Sequence, residues 1–103
     1  MSNLHVKEIN QSLASGYTSV GLRKVGRNMT IVAMFSGITG GETVKLQQSV
    51  DGRVFQDIPN SEVALEANQG EQMWNENILP EGTFVRILVS QSAGVLTTIK
   101  TLS

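Results

Sequence analysis

The chain has no cysteine among its 103 residues. That excludes disulfides, thiolate catalysis and cysteine-ligated zinc or iron–sulfur centres. Small secreted domains commonly rely on disulfides, so their absence favours assembly in a reducing cytoplasm. Histidine occurs once, at His5, and one imidazole cannot build a multi-histidine metal site. Charge is scarce, at 17% of residues with a net charge of -1. A nucleic-acid footprint needs clustered Lys and Arg. The one basic cluster, Arg23, Lys24 and Arg27, reads as a solvated edge, so no nucleic-acid partner is expected. Long apolar runs are missing too. The longest, Ile31-Val32-Ala33-Met34-Phe35, is far too short to span a membrane. The opening residues, Met1 to Glu8, contain no apolar stretch of the kind a signal peptide needs, so none is expected.

What is present is β-forming. Val, Ile, Leu and Thr dominate the ordered-looking segments, and ten glycines punctuate them. The clearest local signal is Ser49-Val50-Asp51-Gly52-Arg53-Val54-Phe55. Val44, Leu46 and Val50 precede the Asp51-Gly52 pair, and Phe55 and Ile58 follow it. An Asp-Gly pair between alternating hydrophobics predicts an antiparallel hairpin, with Asp51 and Gly52 as the structural turn. Strand-like segments recur at 4–9, 17–25, 29–36, 43–50, 54–58, 62–67, 72–78, 83–90 and 95–102, separated by Gly, Pro, Asn and Ser. No segment holds a helical period over a dozen residues. The spacing predicts one domain over 1–103: an all-β, antiparallel β-sandwich, jelly-roll-like, of about eight short strands. Residues 1–14 are poor in large apolar groups. They read as an extended N-terminal arm that orders against a neighbour, or as a plain edge strand.

Alternation assigns faces. Val85, Ile87 and Val89 share one side of their strand, and Phe84, Arg86, Leu88 and Ser90 the other. In 95–102, Val95, Thr97, Ile99 and Thr101 oppose Leu96, Thr98, Lys100 and Leu102. Neither strand has a purely polar face, which points either to an outer surface covered by another subunit or to strands lying at a sheet edge or corner.

Catalytic patterns are weak. No Gly-x-Ser-x-Gly elbow surrounds a serine, and His5 lies near a terminus. The glycine-rich stretch 36–41 lacks the Lys-Ser or Lys-Thr pair and the helix of a phosphate loop. The carboxylates sit at polar positions between apolar ones, as on a solvated strand face. Asp51 and Asp57 lack the dense oxygen-ligand run of a calcium loop. The sequence therefore predicts no enzyme, no metal and no cofactor. Trp74, in Gln72-Met73-Trp74-Asn75-Glu76-Asn77, suits a core position, a protein interface or a sugar platform, and Tyr17, Phe35, Phe55 and Phe84 fit core positions.

The stretch from Val44 to Pro59, with its Ser-x-Asp-Gly turn, aromatic and closing strand, resembles a pattern of small tailed-phage virion proteins. Leu79-Pro80-Glu81-Gly82-Thr83-Phe84-Val85-Arg86-Ile87-Leu88-Val89 looks like its companion, a Pro-x-Gly-Thr turn opening a long strand. The resemblance implies a virion structural protein: a capsid decoration, head-fibre or tail-associated component. It is made in the host cytoplasm and is often a homotrimer that docks on the major capsid protein. Leu4, Val6, Ile9, Trp74, Phe84 and Leu88 are the expected interface residues. Carbohydrate-binding jelly rolls use similar hairpins, so the alternative is a carbohydrate-binding module or host-surface adhesion protein that meets a glycan through Trp74 and the amides beside it.

Overall fold

A computed structural model describes residues 4–102. Its ten strands are β1 (Leu4–Ser12), β2 (Tyr17–Thr18), β3 (Leu22–Arg23), β4 (Met29–Ser36), β5 (Thr43–Ser49), β6 (Gln56–Asp57), β7 (Val63–Ala64), β8 (Glu71–Glu76), β9 (Phe84–Val89) and β10 (Val95–Leu102). All pairings are antiparallel. One sheet runs β1-β10-β4-β8. The other runs β2-β9-β5-β6, with β3 also on β9 and β7 also on β5. Pairs β2/β3 and β6/β7 each occupy one strand position, so the ten segments fill eight positions in two four-position sheets. That is jelly-roll architecture, and it reconciles ten segments with the eight strands expected.

Both breaks have a physical cause. Between β2 and β3 the register against β9 slips by one residue, leaving Ile87 out of the regular ladder. Ser19 repairs the gap: its Oγ accepts from the Ile87 N–H at 2.8 Å, and its own N–H donates to Ile87 O at 2.9 Å. Between β6 and β7 the Leu46 N–H donates to Ser61 Oγ at 3.1 Å. A serine hydroxyl replaces a missing ladder partner in each case, because an unpaired backbone group buried between sheets is costly.

The core lies between the sheets. Met29, Ile31, Ala33 and Phe35 of β4 face Val44 and Leu46 of β5 and Val85, Ile87 and Val89 of β9 across it. The face assignment made for β9 holds. The assignment for β10 does not: Leu96 and Ile99 are both buried although their parity differs. A register shift between Leu96 and Thr98 inserts Thr97 as an extra residue opposite β4, so the strand changes sides midway. Thr97 Oγ1 donates to Met34 O at 3.2 Å and anchors the bulge.

Two further expectations are corrected. Lys24 is not on a solvated edge. It is fully buried, and its Nζ donates to Arg27 O and Leu79 O. The ammonium gathers carbonyls from two loops, as a bound cation would, and so joins 24–28 to 77–80 at one end of the sandwich. Phe55 and Phe84 are not core residues either. They lie half-buried on the outer side of the second sheet, where Gly21 and Gly52 leave room beside them. Arg86 covers the Phe55 ring, 4.0 Å from its centroid, and donates to Gln47 Oε1 at 2.8 Å.

Candidate functional site

Glu42 and Asp51 are held as acceptors in loops. Glu42, placed on a solvated face by its sequence pattern, is buried. Its Oε2 accepts from the Ser92 hydroxyl and from the N–H and hydroxyl of Thr39. Its Oε1 accepts from the Gly40 N–H at 2.7 Å. The Ser92 bond, followed by the Thr39 N–H, lowers its pKa to about 2. Asp51 organises the 49–55 connection. Its Oδ1 accepts from Arg53 N–H, Val54 N–H and Ser49 Oγ, which lowers its pKa, the backbone bonds leading. Gly52 takes φ of 78° there, a conformation glycine adopts without steric cost. The connection between β5 and β6 is thus a wide loop knotted by one carboxylate, not a two-residue turn. Asp57 is lowered by Gln47 and then by Lys45, its partner at 3.1 Å. Among the described residues no three His, Cys, Asp or Glu side chains gather as a metal site would. This arrangement keeps carboxylates ionised and tied to backbone.

The surface feature with the most chemistry is the outer face of the β1-β10-β4-β8 sheet. Cross-strand register sets out its rows. Leu4, Leu102, Thr30 and Asn75 form one; Val6, Lys100, Val32 and Met73 the next; Glu8, Thr98, Met34 and Glu71 the third. The first two rows are apolar apart from Thr30, Asn75 and Lys100. Leu4 is 63% exposed, and Val6 and Met73 are each 56% exposed. A lone antiparallel sandwich normally alternates apolar-in with polar-out. Here β4, the most buried strand of the sheet, is apolar on both sides, and its Val32 and Met34 point away from the core. Contiguous exposed apolar faces are a feature that interaction surfaces share.

The expected interface residues divide among several places. Leu4 and Val6 lie on this face. Ile9 points inward, partly buried against the core. Trp74 pairs with Ile31 and faces inward, half-buried, its Nε1 donating to Ser61 O at 2.9 Å. Phe84 and Leu88 lie on the outer side of the second sheet, beside Arg23, Lys45 and Ser49. Sequence reasoning missed Val32, Met34 and Met73. The signal for Val32 and Met34 was the unbroken 31–35 run, too apolar for a strand with one wet side. Val50 and Val54, both exposed, line a groove with Leu79 and Pro80, and Ile78, next to Leu79 in sequence, is exposed too.

No family model matches the chain. No curated protein matches it either. Solved structures share the fold. The SPBc2 prophage-derived protein YomS superposes with a TM-score of 0.61 at 15% identity, over 99% of this chain and 93% of its own. The PBSX exported protein XepA gives a TM-score of 0.58 at 10% identity over 98% of this chain, which spans only 36% of XepA. The C-terminal CBM6 module of the Zobellia galactanivorans laminarinase LamC gives 0.54 at 16% identity, covering 100% of this chain and 91% of that module. The protein therefore has the jelly-roll β-sandwich fold found in prophage-derived proteins and in carbohydrate-binding modules.

Proposed function

We propose that the chain is a non-enzymatic bacteriophage virion structural protein, a capsid decoration or auxiliary head protein that self-associates and docks on the particle. The observation that carries this reading is the apolar outer face of the β1-β10-β4-β8 sheet. Burial of that face between copies, with a homotrimer as the assembly, gives Leu4, Val6, Val32 and Met73 the cover they lack in one chain. Each such side chain contributes about 1.5–3 kcal/mol when fully removed from water, before ordering costs. The apolar loop tips Val50, Val54 and Ile78 then remain free at one end to meet the major capsid protein. The likeness to YomS and XepA supports a phage source for the fold.

The test is the solution mass, by light scattering on a size-exclusion column. The reading expects three times the 11.1 kDa chain. It also expects Val32→Glu to give a folded monomer, since that side chain points away from the core. A wild-type monomer, or a trimer indifferent to Val32→Glu, counts against it. The likeness to CBM6 supports a carbohydrate-binding alternative. That reading expects glycan-array signals, and an array with none counts against it.

A further inference from the structure

The two long sides of the sandwich differ. On the β8 side, Trp74 bonds to Ser61 O and bridges the sheets. On the other side the sheets end in β1 and in the short pair β2/β3, and the space between them is open. A groove of about 270 Å³ runs there, walled by Ile9, Val20, Leu22, Met29 and Ile99. Its charged lining residues are Lys7 and Arg23, with His5 beside them, and it contains no carboxylate. The only ion pair among the described residues is Lys45–Asp57, on another face.

β1 forms one wall. It is nine residues long and pairs only with β10, so its other backbone edge carries no strand. Its inward side chains are His5, Lys7 and Ile9, since His5 and Lys7 pair with Thr101 and Ile99 on the core-facing side. We propose that this edge receives an extended peptide segment of a partner protein by strand addition, with acidic side chains aimed into the groove. This site shares Leu4 and Val6 with the outer face discussed above, but its charge selection rests on the inward-facing His5 and Lys7.

The register specifies the peptide. An incoming antiparallel strand places each residue opposite one of β1, with paired side chains on the same face. Opposite Ile9 the groove wants an apolar side chain. Opposite Lys7 and His5 it wants carboxylates. Opposite Glu8 it wants a neutral residue, and opposite Val6 and Leu4 apolar ones on the outer side. Read antiparallel from Ile9 to Leu4, the matching sequence is Val-Thr-Glu-Val-Glu-Ile. Backbone pairing supplies affinity, and alternate side chains supply selection, as in other strand-addition sites.

The experiment uses the full chain, isotope-labelled, with that peptide and with its reversed-charge form Val-Thr-Lys-Val-Lys-Ile. The expected result is amide shifts confined to residues 4–9 and the groove wall, new interstrand contacts to β1, and a preference of about tenfold for the acidic peptide. Lys7→Glu, at an exposed position, should transfer the preference to the basic peptide, and Lys7→Gln should abolish it. Equal binding of both peptides overturns the proposal. So does the absence of any shift at millimolar peptide, which leaves Lys7 as an inward-pointing charge that merely guards a bare edge. Decanoate shifting the groove residues where neither peptide does also overturns it, by making the groove a small-amphiphile site. Because Lys7 and Val32 lie on opposite sides of the sheet, a trimer that fails to form leaves this result standing, and the reverse.

Discussion

Glu42 joins two loops through one side chain. The 37–41 loop presents the Thr39 and Gly40 N–H groups, and the 90–94 loop presents the Ser92 hydroxyl. All three donate to the ionised carboxylate, so protonation weakens every bond together. The ordinary value of 4.5 falls to about 2 in the fold. A depressed carboxylate stabilises the native state above its unfolded pKa and loses that contribution as pH falls through the folded one. The Glu42 contribution is therefore whole above about pH 4.5 and fades down to about pH 2. Melting temperatures from pH 6 to pH 2 should show this decline in the wild type. Glu42→Gln should be less stable at pH 7, because an amide nitrogen faces donors, and its curve should be flatter across the acid window. A Glu42→Gln curve parallel to the wild type would show that other carboxylates govern acid unfolding.

Asn10 explains how β1 stays in register with a bulged neighbour. Between Glu8 and Gln11 the strand carries one more residue than β10, and Asn10 absorbs it at φ of 49°. Asparagine tolerates the left-handed region, whereas a β-branched residue there is strained. Asn10→Gly should leave the urea midpoint nearly unchanged, and Asn10→Val should cost about 1–2 kcal/mol. Equal midpoints for the two variants would remove the bulge as a constraint. The bulges also mark what the sequence made legible. Alternation exposed β5 and β9 directly, because one side of each is core, whereas β4 showed as a continuous apolar run. It failed in β10, where Thr97 shifts the parity, since an inserted residue leaves no compositional trace. The split of 17–25 into β2 and β3 was likewise hidden, although Ser19-Val20-Gly21 holds the serine that repairs it. The site was less legible than the fold. Leu4 and Val6 could be named through the N-terminal arm, but Val32 and Met34 lay in a continuous apolar run that assigned no face. Lys24 carried no sign that it was buried, because its partners are backbone carbonyls from distant loops.

At the scale of the whole molecule the outer sheet face is large enough to matter. Four strands at about 4.8 Å spacing and seven or eight residues at about 3.3 Å each span roughly 500 Å². Three such faces meeting about a threefold axis bury on the order of 1,500 Å² in all. Area of that size does not by itself fix affinity, so the charges on the face decide which contacts form. Lys100 sits among apolar neighbours, one row from Glu8 and Glu71 at the two edges. In a symmetric assembly the cation at the centre of one face meets the carboxylate at the edge of the next, while Val32 and Met73 pack between them. Lys100→Glu should then lower the solution mass to that of one chain by placing like charges together. Lys100→Glu combined with Glu71→Lys should restore it, because the exchanged pair has the same complementarity. Restoration by the double change, with neither single change affecting the melting temperature of the monomer, would assign the contact to these two side chains. A double variant that stays monomeric would place Glu71 outside the interface and leave Glu8, on the β1 edge, as the carboxylate to exchange next.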